Sequence, residues 1–171
     1  MKPIERLKKL HLEKQIVDNP SFPKDYLPSY NGKPNSANGI TKCIVDWLTY
    51  HGHHANRINT MGTPRVGKKM INPLTGKVSQ SMTWTPSSTQ RGTADIKAVI
   101  KRNTDRYGVP VDIEVKFAKD KQSEAQKKYE SEFTQAGGIY IIATTFDGFV
   151  EWYDTFINKS EIETLKKIDE L

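Results

Sequence analysis

A chain of 171 residues that is 36% apolar and 27% charged is long enough for one domain with its own core, and too short for a second catalytic domain. The formal charge of +6 favours a polyanionic partner, and the single cysteine, Cys43, excludes an internal disulfide and a cysteine-rich zinc site and fits a reducing cytoplasm. The longest apolar run, around Ile139 to Ala143, is far too short to span a bilayer, and the basic N-terminus lacks the apolar stretch of a secretory signal, so no membrane partner is expected.

Ile4, Leu7, Leu10, Ile16 and Val17 recur among lysines and glutamates behind Pro3, which predicts an amphipathic helix over residues 3–17. Residues 19–39 carry Pro20, Pro23, Pro28 and Pro34 and read as an extended arm, held against the domain by Phe22, Tyr26 and Tyr30. Ile40, Cys43, Ile44, Trp47 and Leu48 fall at helical spacing before Gly52 and predict the first core helix. His51, His53 and His54 follow it without a cysteine or carboxylate nearby, and read as surface histidines rather than metal ligands. The division expected is therefore a helix and proline-rich arm over residues 1–39, then a domain over residues 40–171.

From Trp47 through Ala94 the chain has no Asp or Glu, while Arg57, Arg65, Lys68, Lys69, Lys77 and Arg91 are present, so the whole net charge lies in this window. Residues 55–59 read as a short strand from which Arg57 and Asn59 can reach phosphate. Residues 61–90 hold six glycines and prolines and read as a long functional loop. A basic hairpin or lid over nucleic acid is expected there, with Leu74-Thr75-Gly76-Lys77 as its turn and Trp84 either stacking on a base or anchoring the loop.

The next two segments alternate at period two. Ala94, Ile96, Ala98 and Ile100 form one row of a strand that also carries Asp95 and Lys97. Val111, Ile113, Val115 and Phe117 form the apolar row of another, whose opposite row is Asp112, Glu114 and Lys116. A turn over residues 103–108 reads as making the pair antiparallel, a pairing that can bring Asp95 next to Glu114. Residues 120–135 predict a helix packing through Ala125, Tyr129, Phe133 and Ala136, with Ser123, Gln126 and Tyr129 towards the site. Gly137-Gly138 ends it; residues 139–144 read as a buried strand, Phe146 to Phe156 as an aromatic-rich core helix, and Ser160-Glu161-Ile162-Glu163 as the capped start of a last helix.

Two carboxylates and a lysine at neighbouring strand ends suit metal-assisted phosphodiester cleavage, because hard oxygen ligands hold Mg²⁺ with water positions left open. The acid-x-Lys tripeptide itself is weak: it is expected about twice by chance, and it occurs twice, at Asp95 and at Glu114. On that ground alone the acidic row reads equally as a solvated strand face.

The continuation decides between them. Gly92-Thr93-Ala94-Asp95-Ile96, Ile113-Glu114-Val115-Lys116, the stretch from Asp120 to Tyr129 and the run from Ala136 to Ala143 together resemble the PD-(D/E)xK nuclease superfamily. Within it, they resemble the VRR-NUC group of small nucleases, many carried by phages. The resemblance spans roughly Asn38 to Tyr153. Asp95 matches the first acid, Glu114 and Lys116 the (D/E)xK, and Gln126 the glutamine of the following helix. Ala94 replaces the family's proline, and Asn38 stands roughly where many members carry a helix-borne glutamate.

The resemblance implies an α/β fold with a restriction-endonuclease-like core, a mixed central sheet flanked by helices. It implies a divalent-metal-dependent DNA nuclease, read as an endonuclease, with Mg²⁺ or Mn²⁺ on Asp95, Glu114 and the Val115 carbonyl, Lys116 orienting the water, and Gln126 steadying it or the phosphate. Arg57, Arg65, Lys68, Lys69 and Arg91 are the expected DNA contacts, and the sequence leaves a homodimer open. The rival reading is a catalytically silent nuclease-like module that binds DNA or a protein.

Overall fold

The computed structural model describes residues 1–58, 62–85, 90–102 and 106–158. Asn59, the 103–105 part of the expected turn and the last helix expected from Ser160 lie outside the described residues. The chain is an α/β protein. Helices α1 (Pro3–Asp18) and α2 (Ala37–Tyr50) precede strand β1 (His54–Arg57) and a hairpin of β2 (Thr63–Ile71) and β3 (Val78–Thr85). Then come β4 (Ile96–Ile100), β5 (Val109–Val115), α3 (Glu124–Gln135), β6 (Ile139–Ala143) and α4 (Phe146–Asn158). Among the described residues no helix is long and apolar enough to cross a membrane.

The main sheet has the order β1-β4-β5-β6. β1, β4 and β5 pair antiparallel, and β6 returns parallel to β5 through α3, as a parallel neighbour requires a crossover. Alternation sets β4: Ile96, Ala98 and Ile100 are buried, while Lys97 and Val99 face out. That row joins Val111, Ile113 and Val115 in one core with Ile40, Cys43, Ile44, Trp47 and Leu48 of α2 and with Phe146, Phe149, Val150, Tyr153 and Phe156 of α4. Helices of the first and last thirds therefore cover one face of the sheet.

α1 belongs to the same core, since Leu7 is fully buried with Ile4 and Leu10 packed around it. Arg6 locks the helix to α4 through two bonds to Asp154, at 2.6 and 2.9 Å, and stacks over Trp47. Leu7→Ala is expected to lower the unfolding free energy by about 2–5 kcal/mol, measured by denaturant titration; a loss below about 0.5 kcal/mol, the scale of a surface change, would mean that α1 is peripheral. In the arm, Tyr30 donates to Asp46 at 2.7 Å and packs on the core, whereas Phe22 and Tyr26 are exposed, against the expectation that all three hold it down.

The expected 61–90 loop is in its described part an antiparallel hairpin, with Asn72 Oδ1 accepting from Leu74 N at 2.9 Å in the turn. Pro64 is tolerated because it sits near the end of a strand with no other neighbour, and Gly67 falls where the register shifts between Val66 and Lys69.

β5 departs from the sequence expectation. Val111 through Lys116 are all buried, acids included, because α3 covers the face that an alternating strand would show to water. Phe117, expected in the core row, is 41% exposed beyond the strand end. α3 starts at Glu124 rather than Asp120, where Ser123 and Gln126 form a capping box, and it packs through Tyr129 while Ala125 and Ala136 stay exposed. Gly137, at φ +89°, ends it. β6 is an edge strand: Ile142 is 44% exposed and only Ala143 is buried, which corrects the reading of a buried strand.

Candidate active site

Each side chain of the site is placed by a backbone constraint. Ile96 pairs with Ile113 across β4 and β5, so Asp95, one residue before, stands by Glu114. Two further bonds fix Asp95: its carbonyl accepts from Ile58 N at 2.7 Å, and its Oδ2 accepts from Val115 N at 3.0 Å. Gly92, at φ +85°, turns the chain into this position where a Cβ would collide with the Ala125 carbonyl of α3, and Ala94 is wholly buried.

Glu114 Oε1 receives Lys116 Nζ at 3.0 Å and a short bond from Gln126 Nε2. Gln126 Oε1 in turn accepts from Lys116 Nζ at 3.0 Å and Ser123 N at 2.9 Å. Both of those neighbours are donors, so the amide orientation is forced. Lys116 also reaches Asp120 at 3.4 Å. The second Glu114 oxygen, Oε2, is buried without a hydrogen-bond partner among the described residues. Burial raises the Glu114 carboxyl above the ordinary range, and the nearby Asp95 charge raises it further, against the help of Lys116 and Gln126. Burial lowers the Lys116 ammonium, but Glu114 and Asp120 more than offset this and hold it firmly charged.

Asp95, Glu114, Lys116 and Gln126 are thus brought together. No group of three or more His, Cys, Asp or Glu among the described residues is arranged to hold a metal. A divalent ion here would have Asp95, Glu114, the Val115 carbonyl and water as its donors. That donor set fits Mg²⁺ or Mn²⁺, which keep several waters and take one or two carboxylates, and the partnerless Glu114 Oε2 is an oxygen for which an ion would be a partner.

The expected DNA contacts are dispersed. Arg57 is exposed on β1 and donates to Asn38 Oδ1 at 2.6 Å, so Asn38 holds an arginine at the sheet end next to Asp95. Arg65, Lys68 and Lys69 stand exposed on β2, Trp84 is 57% exposed on β3, and Arg91 is exposed in the turn before Gly92. None of them joins the cluster at Glu114. His51 and His53 are half-buried: His51 Nδ1 meets Trp47 O at 2.8 Å and His53 Nε2 meets Tyr153 OH at 2.8 Å. They are packing residues rather than the surface ones expected.

A second buried carboxylate was not expected in this role. Asp112 accepts from Tyr129 OH at 2.6 Å and lies 4.0 Å from Lys97, which sits over the Tyr129 ring. Its place two residues before Glu114 on one strand face was the available signal. Asp120, four residues after Lys116, was the other. Compared with family models, curated proteins and solved structures, the chain finds no match in any of the three.

Proposed function

We propose that the chain is a divalent-metal-dependent DNA endonuclease of the PD-(D/E)xK type, built on a restriction-endonuclease-like core, in which phosphodiester hydrolysis occurs at Asp95, Glu114 and Lys116. The observation that carries this reading is the Glu114 carboxylate: one oxygen held by Lys116 and Gln126, the other buried and bare beside Asp95. A buried oxygen without a partner costs stability, about 1–3 kcal/mol for a neutral group and more for a charged one, and a bound ion or an ordered water would relieve that cost.

When bound, Mg²⁺ or Mn²⁺ supplies Lewis acidity and lowers the pKa of a water. Asp95 and Glu114 would hold the ion with the Val115 carbonyl. Lys116 orients the attacking water and offsets charge developing on the phosphoryl oxygens. Gln126 fixes Lys116 and Glu114 relative to each other, and its place in the capping box ties that geometry to the start of α3.

A catalytically silent binding module is the second reading. It is favoured by the closure of the network, since Glu114 is only 2% exposed and Lys116 is also paired with Asp120. Against it, a purely structural ion pair has no use for a bare oxygen beside a second carboxylate.

Cleavage of labelled DNA is expected with Mg²⁺ or Mn²⁺ and to be absent with Ca²⁺, which tolerates looser geometry and activates water poorly. Undiminished cleavage in excess EDTA would overturn the metal role. The acid-free hairpin is the proposed phosphate contact. Reversing Arg65, Lys68 and Lys69 to glutamate is expected to weaken DNA binding and to flatten its dependence on log salt by roughly one unit per lost contact. Unchanged affinity and slope would remove the hairpin from the DNA interface.

A further inference from the structure

Among the described residues the hairpin packs appreciably on no other element, and every residue of β2 and β3 except Gly67 is exposed. The pairing gives it two unlike faces. Pro64 stands opposite Trp84, Val66 opposite Met82, Lys69 opposite Gln80 and Ile71 opposite Val78, so one face is largely apolar. Period two puts Ser79, Ser81, Thr83 and Thr85 on the other face as a row of hydroxyls, with Thr63 opposite Thr85, Arg65 opposite Thr83 and only Met70, opposite Ser79, breaking its polarity. Ser79 Oγ and Thr83 Oγ1 reach only the carbonyls of Met70 and Arg65, each at 3.5 Å, the outer limit of a hydrogen bond, so a ligand can claim them. Arg65, Lys68, Lys69 and Lys77 are exposed on the hairpin, and no acid lies between Trp47 and Ala94.

The charge selects a polyanion, and the shape selects among polyanions. Two strands with their side chains make a ribbon about 10 Å across, which the nine residues of β2 extend for about 30 Å. The major groove of B-form DNA, about 12 Å wide and about 8.5 Å deep, admits such a ribbon, whereas the minor groove, about 6 Å wide, does not. The major groove of A-form RNA is too narrow for side chains to read. A two-stranded sheet also leaves both outer edges unpaired. In a groove these edges face the two phosphate walls, which accept from backbone N–H groups and attract the lysines. The hydroxyl face suits the floor of the groove. Base edges are donors and acceptors that hydroxyls and Arg65 can pair, and covering them with Val66, Val78 and Met82 would strand them.

We propose that the ribbon of β2 and β3 lies in the major groove of B-form duplex DNA, with Thr63, Arg65, Ser79, Ser81 and Thr83 towards the base edges. The inference rests on the nuclease reading and names double-stranded DNA as the substrate of that site. Trp84 is then no platform for stacking an unpaired base. A Cβ on Gly62 would lie 2.3 Å from Trp84 Nε1, so the indole closes over the root of the ribbon.

Binding measured in EDTA separates this proposal from cleavage. By fluorescence anisotropy with the full chain, a mixed-sequence DNA duplex is expected to bind on the order of tenfold tighter than its single strands or the same duplex in RNA. Replacing its purines by 7-deazapurines removes the N7 acceptors of the major groove and leaves the phosphates and the minor groove intact. It is expected to weaken binding on the order of tenfold. Ser79→Ala, Ser81→Ala and Thr83→Val together are expected to weaken binding of the normal duplex and to shrink its advantage over the 7-deazapurine duplex. The slope of affinity against log salt should stay as in wild type, showing the ribbon still seated on phosphate. Met82→Thr, on the other face, is expected to stay within about twofold of wild type. Equal affinity for single strands or for duplex RNA overturns the proposal, as do indifference to 7-deazapurine and a triple variant that binds like wild type. So does a loss in Met82→Thr as large as in the triple variant. A protein that binds no DNA overturns this proposal and the nuclease reading together. Duplex binding with all of these signatures, but no cleavage in Mg²⁺, supports the seating of the ribbon and overturns the nuclease reading alone.

Discussion

Lys116→Met is expected to reduce single-turnover DNA cleavage on the order of a thousandfold, the scale lost when one preorganised donor is removed from a transition state, while DNA affinity stays within about twofold. Lys116 is 8% exposed, and its ammonium stands 3.0 Å from both Glu114 Oε1 and Gln126 Oε1. Removing one partner of a buried pair strands the other, so the same change is expected to destabilise the protein by about 3–5 kcal/mol. Lys116→Arg separates the two effects. It keeps the charge beside Glu114 and Asp120 and with it the fold, but a planar fork does not place a compact ammonium at the same point, so cleavage stays low. Cleavage at the wild-type rate in a folded Lys116→Met protein would leave the lysine a structural role only.

Asp95→Asn is expected to abolish cleavage to a similar extent by another route, with the opposite effect on stability. The substituted amide still offers an oxygen to Val115 N, the bond now made by Oδ2 at 3.0 Å. It removes the negative charge that, after burial, pushes the Glu114 carboxyl upward. The midpoint of metal-free thermal unfolding should therefore hold or rise, Mn²⁺ affinity by calorimetry should fall, and metal-free DNA binding should hold or strengthen as repulsion from phosphate is lost. A protein that loses stability and retains Mn²⁺ affinity would show that Asp95 is a structural acid.

The pairing at the heart of this site was readable in the sequence, since alternation in Ala94 to Ile100 and Val111 to Val115 fixes two strands, and a tight connection makes them antiparallel. Those facts allow Asp95 beside Glu114, and the register that pairs Ile96 with Ile113 puts it there. The burial of Glu114 was not readable, because an alternating strand looks the same whether its polar row faces water or a helix. The deciding contacts, Gln126 to Glu114 and Tyr129 to Asp112, come from residues 12 and 17 positions away. Ser123, Gln126 and Tyr129 at three-residue spacing gave the correct helix face. The hairpin was half-legible: glycine and proline between residues 61 and 90 marked a break in the core, yet β2 absorbs Pro64 at its start and Gly67 in its register shift. Which of its residues share a face appears only once the pairing of Pro64 with Trp84 is known.

The central claim is that Asp95, Glu114 and Lys116 form a hydrolytic site and not a structural ion cluster. Single-turnover digestion of end-labelled duplex, flap, junction and single-stranded DNA, with Mg²⁺ and with EDTA, for wild type beside Lys116→Arg, tests it most directly. The account predicts internal cleavage of at least one structure by wild type with Mg²⁺, none in EDTA, and a loss on the order of a thousandfold in the folded variant. Intact DNA in every wild-type lane, or equal cleavage by wild type and Lys116→Arg, would contradict it.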